Sequence, residues 1–61
     1  MNIKKITIEE LKGLRKESKI AILYQQQELA CNLDYTLYPI ESDIVQSNIN
    51  LLEQVLIYKK L

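Results

Sequence analysis

Histidine, tryptophan and phenylalanine are missing from this 61-residue chain, and cysteine, glycine and proline occur once each. Each shortage removes a class of chemistry. Without histidine there is no imidazole base, no Ser-His or Cys-His pair, and no carboxylate-histidine di-iron constellation. A single glycine, Gly13, forms no glycine-rich phosphate cradle. A single cysteine, Cys31, closes no internal disulfide, and a zinc site built from one thiolate and carboxylates alone falls outside the usual ligand sets. The acidic residues Glu9, Glu10, Glu17, Glu28, Asp34, Glu41, Asp43 and Glu53 sit where helix starts and solvated faces place them rather than as a paired acid and base. The chain is read as non-catalytic, with no cofactor, metal or small-molecule ligand expected.

Long apolar runs are also missing. The longest spans residues 20–24, far short of a bilayer crossing, and nothing apolar and sustained follows Lys4 and Lys5. Neither a secretory signal nor a membrane span is expected, and a lone reduced thiol favours the cytoplasm. A single domain over residues 1–61 buries only about 60% of its unfolded surface, so the core needs a supplement. With disulfide and metal set aside, self-association is the expected one.

What is present is mostly helical pattern. Thr7 and Glu10 form a Thr-x-x-Glu capping box, which predicts a helix start at Ile8. Leu11, Leu14, Ser18, Ile22, Leu29 and Leu33 then recur at spacings of three, four and seven, with Gln25 filling the remaining turn, so one helix is expected over about residues 8–33. Good helix formers dominate residues 16–29, while Gly13 weakens the first turns by up to about 1 kcal/mol. Pro39 disfavours helix at Tyr38, which makes residues 34–41 the connection. A second helix is expected over about 42–60, capped by Ser42 or Asp43. On it Val45, Ile49, Leu52 and Leu56 make one row, and Ile44, Asn48, Leu51, Val55 and Tyr58 the next, together covering close to half the circumference.

Both helices therefore carry more apolar surface than one antiparallel partner covers. The first adds Ile20, Leu23, Tyr24 and Cys31 opposite its main stripe, with Cys31 read as a small buried hydrophobe. The expected fold is all-α, an antiparallel two-helix hairpin that dimerises into a four-helix bundle. Its interface would draw on Ile20, Leu23, Tyr24, Ile44, Leu51, Val55 and Tyr58. The structural rival is a small α+β domain in which residues 19–25 and 35–40 pair as a β-hairpin, although turn chemistry between them is poor.

Net charge is zero, but the charges are segregated. Through residue 19 there are six basic side chains against three acidic, residues 20–58 hold five acidic and no basic ones, and Lys59 and Lys60 follow. A hairpin brings Lys59 and Lys60 beside the basic half and gathers Asp34, Glu41 and Asp43 at its loop. Lys12, Arg15, Lys16 and Lys19 share the spacing of one helical stripe, suited to phosphates or an acidic groove. Tyr35 and Tyr38, in the connection, are the aromatic candidates for a partner contact.

The leading functional expectation is a protein-binding regulator or inhibitor that self-associates and docks on a partner protein through Tyr35, Tyr38 or the charged row. Small size without chemistry fits a phage or mobile-element regulator. A nucleic-acid-binding regulator using the basic stripe is the second reading, and a structural subunit of a larger assembly the third. The residues support no family resemblance.

Overall fold

The computed structural model describes residues 3–58, of which Tyr58 is described in its backbone only. They form three α-helices, α1 (Ile8–Lys12), α2 (Lys16–Asn32) and α3 (Pro39–Glu53), and α3 runs on into a π-helical turn, Gln54–Tyr58. Residues 3–7 form an arm without helical or strand structure that lies ahead of α1. The chain is thus mainly helical, with no strand among the described residues. The β-hairpin alternative is overturned, since residues 19–25 lie inside α2 and residues 35–37 form a turn.

The capping box at Thr7 starts α1 at the expected residue, and the Glu10 amide donates to Thr7 Oγ1 at 3.3 Å. The reciprocal half differs from the standard box. Glu10 Oε1 accepts from the Thr7 hydroxyl at 3.3 Å, and its other oxygen pairs with Lys4 Nζ at 3.2 Å.

The expected single helix over residues 8–33 is two helices. Gly13 ends α1, and Arg15 is extended at φ −73°, ψ 161° before α2 begins. Glycine has the poorest helix propensity after proline, and breaking there lets α1 and the arm fold back on the body. The gain is tertiary. Leu11 becomes fully buried, which stabilises the fold by about 1.5–3 kcal/mol relative to an exposed side chain. A five-residue helix has no independent stability, so this burial and the Thr7 cap hold α1 in place.

The break also resets the buried stripe. Leu14 and Ser18 are exposed, and Gln26, not Gln25, turns inward. Helices α2 and α3 form the antiparallel hairpin, so the expected two-helix unit survives as part of a three-helix protein. Leu33, Val45 and Ile49 make one core cluster, with Ile3, Leu23 and Leu29 packed against it. Leu52 is fully buried as well. The row Val45, Ile49 and Leu52 is the one expected from the spacing, with Leu56 half-buried beyond it.

Helix α3 starts at Pro39, three residues earlier than the expected 42, and the connection is correspondingly shorter. Pro39 occupies the first helical position, where its missing N–H costs nothing and its ring pre-sets φ. The same residue that excludes helix at Tyr38 (φ −130°, ψ 64°) thus opens the next one. The expected helix end near residue 60, with Lys59 and Lys60, lies outside the described residues.

Candidate functional site

The end of the hairpin is built by local hydrogen bonds. The Leu33 amide donates to Leu29 O at 2.9 Å and closes α2, and Leu33 itself turns into the core. Asp34 then organises the turn. Its Oδ1 accepts from the Thr36 amide at 2.9 Å and from the Thr36 hydroxyl, while its carbonyl accepts from the amides of Leu37 (3.1 Å) and Tyr38 (2.9 Å). The Thr36 side-chain hydrogen bond, backed by the Thr36 and Leu37 amides, holds the Asp34 carboxyl below its ordinary pKa. Tyr38 O accepts from the Ser42 amide at 3.0 Å and joins the turn to α3.

This scaffold carries large apolar side chains into solvent. Tyr35 and Leu37 are each 70% exposed, Ile40 is 71% exposed and Tyr38 38%. Four large apolar groups within six consecutive positions form the densest such patch on the described chain, whereas the others (Ile8, Leu14, Tyr24 and Ile57) are dispersed along it. Asp34, Glu41 and Asp43 flank the patch, and residues 20–58 contain no Lys or Arg. The segment that forms the tip is therefore apolar and aromatic, with only acidic charges in its own sequence neighbourhood. Sequence reading picked out Tyr35 and Tyr38 but missed Leu37 and Ile40; the signal was the alternation of apolar residues around Pro39 in a segment too short to bury them.

The basic residues do not form one stripe on one helix. Lys12 ends α1, Arg15 is the N-cap residue of α2 without a side-chain cap bond, and only Lys16 and Lys19 share α2. Lys12, Arg15 and Lys16 are exposed, and Lys19 is half-buried. They lie at the far end of α2 from the tip, about 25 Å along a 17-residue helix at 1.5 Å per residue.

The residues expected at an oligomer interface separate. Leu23 packs on the core cluster of its own chain. Ile20, Ile44, Leu51 and Val55 are half-buried, and Tyr24 is 67% exposed. The Tyr58 side chain lies outside the described residues. Cys31, expected as a small buried group, is exposed, because α2 presents that face away from α3.

A second polar feature was not anticipated. Asn48 sits almost fully buried among apolar neighbours on α3 and ties three elements together. Its Oδ1 accepts from the Ile6 amide at 2.8 Å; its Nδ2 donates to Lys4 O at 3.0 Å and to the buried Gln26 Oε1 at 3.2 Å. Beside this junction, between Ile3 and Ile6 of the arm and Ile22, Gln26 and Leu29 of α2, lies an open cavity of about 340 Å³. The arm is hydrogen-bonded at Asn48 yet leaves space against α2.

Among the described residues no helix is long and apolar enough to cross a membrane. Comparison with family models, with curated proteins and with solved structures finds no match to this chain.

Proposed function

We propose that this chain is a non-catalytic regulator or inhibitor that docks its 34–40 tip into an apolar pocket of a partner protein whose rim carries Lys or Arg. The observation that carries this reading is the exposure of Tyr35, Leu37 and Ile40 on a turn already ordered by Asp34. Burying three such side chains contributes about 1.5–3 kcal/mol each in gross terms, and a pre-ordered loop lowers the cost of association that offsets it. The surrounding carboxylates steer a basic rim and disfavour acidic surfaces. Self-association belongs to the same proposal: two α2–α3 hairpins pair into a four-helix bundle and cover Ile20, Tyr24 and the half-buried Ile44, Leu51 and Val55.

The test compares the wild-type chain with a Tyr35→Ser, Leu37→Ser, Ile40→Ser triple variant. Proteins retained by the wild type are purified and titrated against both forms. Retention of a partner by the wild type, with binding at least tenfold weaker in the triple variant and unchanged circular dichroism, supports the reading. Equal binding by both forms removes the tip from the mechanism. Binding that collapses with salt and with Lys12, Arg15, Lys16 and Lys19 changed to Gln would instead indicate a phosphate-driven nucleic-acid contact.

A further inference from the structure

We infer that the arm and α1 are an exchangeable element, which a second copy of this chain inserts into the seat formed by Asn48, α2 and α3. The inference rests on the self-association proposed above and is independent of the tip. Three observations carry it. First, the Ile6 amide and the Lys4 carbonyl bond to Asn48 while Ile3 packs on the Leu33, Val45 and Ile49 cluster, so an identical arm from another copy makes the same backbone bonds and the same apolar contact. Second, a groove of about 340 Å³, open to solvent, lies between the arm and Ile22, Gln26 and Leu29, so that side of the arm is not enclosed. Third, only residues 13–15 separate α1 from α2, and the sequence through them keeps helical spacing from Leu11 through Leu14 and Ser18 to Ile22.

Straightening the hinge converts residues 13–15 into helix and makes one rod from Ile8 to Asn32. It swings α1 and the arm off their own body. The hydrogen bonds to Asn48 and the burial of Leu11 re-form on the partner's body, and the hinge adds helical hydrogen bonds. That balance is the basis of element exchange between protomers. Gly13 is not held in a left-handed conformation, since its φ is −84°, so the hinge has no backbone feature that forbids straightening.

Two variants push the equilibrium in opposite directions while fitting the folded chain. A Cβ at Gly13 meets only Glu10 O at 3.9 Å, an ordinary contact, so Gly13→Ala is accommodated and favours the continuous helix. Lys16→Pro places proline at the first position of α2, where no intrahelical acceptor is lost and Arg15 already has the extended conformation that precedes proline. In a continuous helix the same proline removes a hydrogen bond and clashes with the preceding turn.

The experiment is light scattering across a dilution series of the wild type and both variants, with circular dichroism on each sample. The expected result is a dimer that Gly13→Ala tightens by roughly tenfold and Lys16→Pro abolishes, leaving a folded monomer. A dimer of unchanged affinity in Lys16→Pro overturns the exchange and leaves self-association by face pairing. Monomers at every concentration for all three proteins overturn the exchange and self-association together. Should Lys16→Pro fail to fold, the decision passes to Gly13→Ala, whose dimer must be tighter than wild type for the exchange to stand.

Discussion

At the residue scale, Asn48 and Asp34 set the specificity of the fold through hydrogen bonds rather than bulk. Asn48 uses both amide protons and its oxygen, so truncation leaves the Ile6 amide, the Lys4 carbonyl and Gln26 Oε1 unpaired together. Asn48→Ala is expected to cost about 2–3 kcal/mol, a fall in melting temperature of about 10–20 °C for a chain this small. Gln26→Leu should cost less, because only one Asn48 proton loses its acceptor, and the double variant should lose less than the sum in a thermal-melt cycle. For Asp34 the carboxylate is the form the turn binds. Its pKa is lowered on folding, so its stabilising effect is complete above the ordinary carboxylate pKa and is lost as pH falls through the lower folded value. Melts below about pH 4 should therefore show an acid-sensitive loss that Asp34→Ala lacks.

The three helices owe their existence to different causes. Helix α2 has the length and composition to be favoured by propensity, and α3 has a pre-set start at Pro39 and a buried row. Helix α1 has good helix formers in Glu9, Glu10, Leu11 and Lys12 but is only five residues long, so it depends on the Thr7 cap and one buried side chain, Leu11. Leu11→Ala should then act locally. The cavity and transfer terms together amount to about 2–5 kcal/mol, and once the docking of α1 is lost the body need not unfold with it. Native-state hydrogen exchange is expected to lose protection over residues 4–12 while α2 and α3 amides around Leu29 and Val45 keep theirs. Loss of protection throughout would mean that α1 is integral to the cooperative unit.

At the scale of the whole molecule, the described residues extend over 33 × 19 × 17 Å, with an apolar tip flanked by carboxylates at one end of α2 and Lys12, Arg15, Lys16 and Lys19 beside Glu9, Glu10 and Glu17 near the other. Its core is small: five buried apolar side chains among the described residues. Because the tip residues contribute little to that core, the Tyr35→Ser, Leu37→Ser, Ile40→Ser variant should unfold within about 0.5 kcal/mol of wild type in urea, whatever it does to binding. A loss several times larger would show that these residues support the fold and are not a free contact surface. Adding salt should slow association with a basic-rimmed partner more than it speeds dissociation, because exposed carboxylates steer the encounter and apolar contacts hold the complex.

How much of this was legible in the sequence follows from which interactions are local. The helical class, the start at Thr7 and the row Val45, Ile49 and Leu52 follow from propensity, a three-residue capping motif and spacing, all of which act within a turn or two of the chain. The tyrosines were legible as part of a connection because Pro39 disfavours helix at the residue before it. The break at residues 13–15 was not, because the spacing through Leu11, Leu14 and Ser18 suits a continuous helix; only burial of Leu11 against the rest of the protein and the seat at Asn48 favour bending it. Gln26 and Asn48 likewise looked like ordinary polar residues. They are 22 positions apart, and their pairing exists only where α2 and α3 cross and the arm closes over them. Residue type and spacing determined the helices; the tertiary structure decided where the first helix folds back, which amides are buried and which apolar residues are left at the tip, because those outcomes depend on contacts between distant segments.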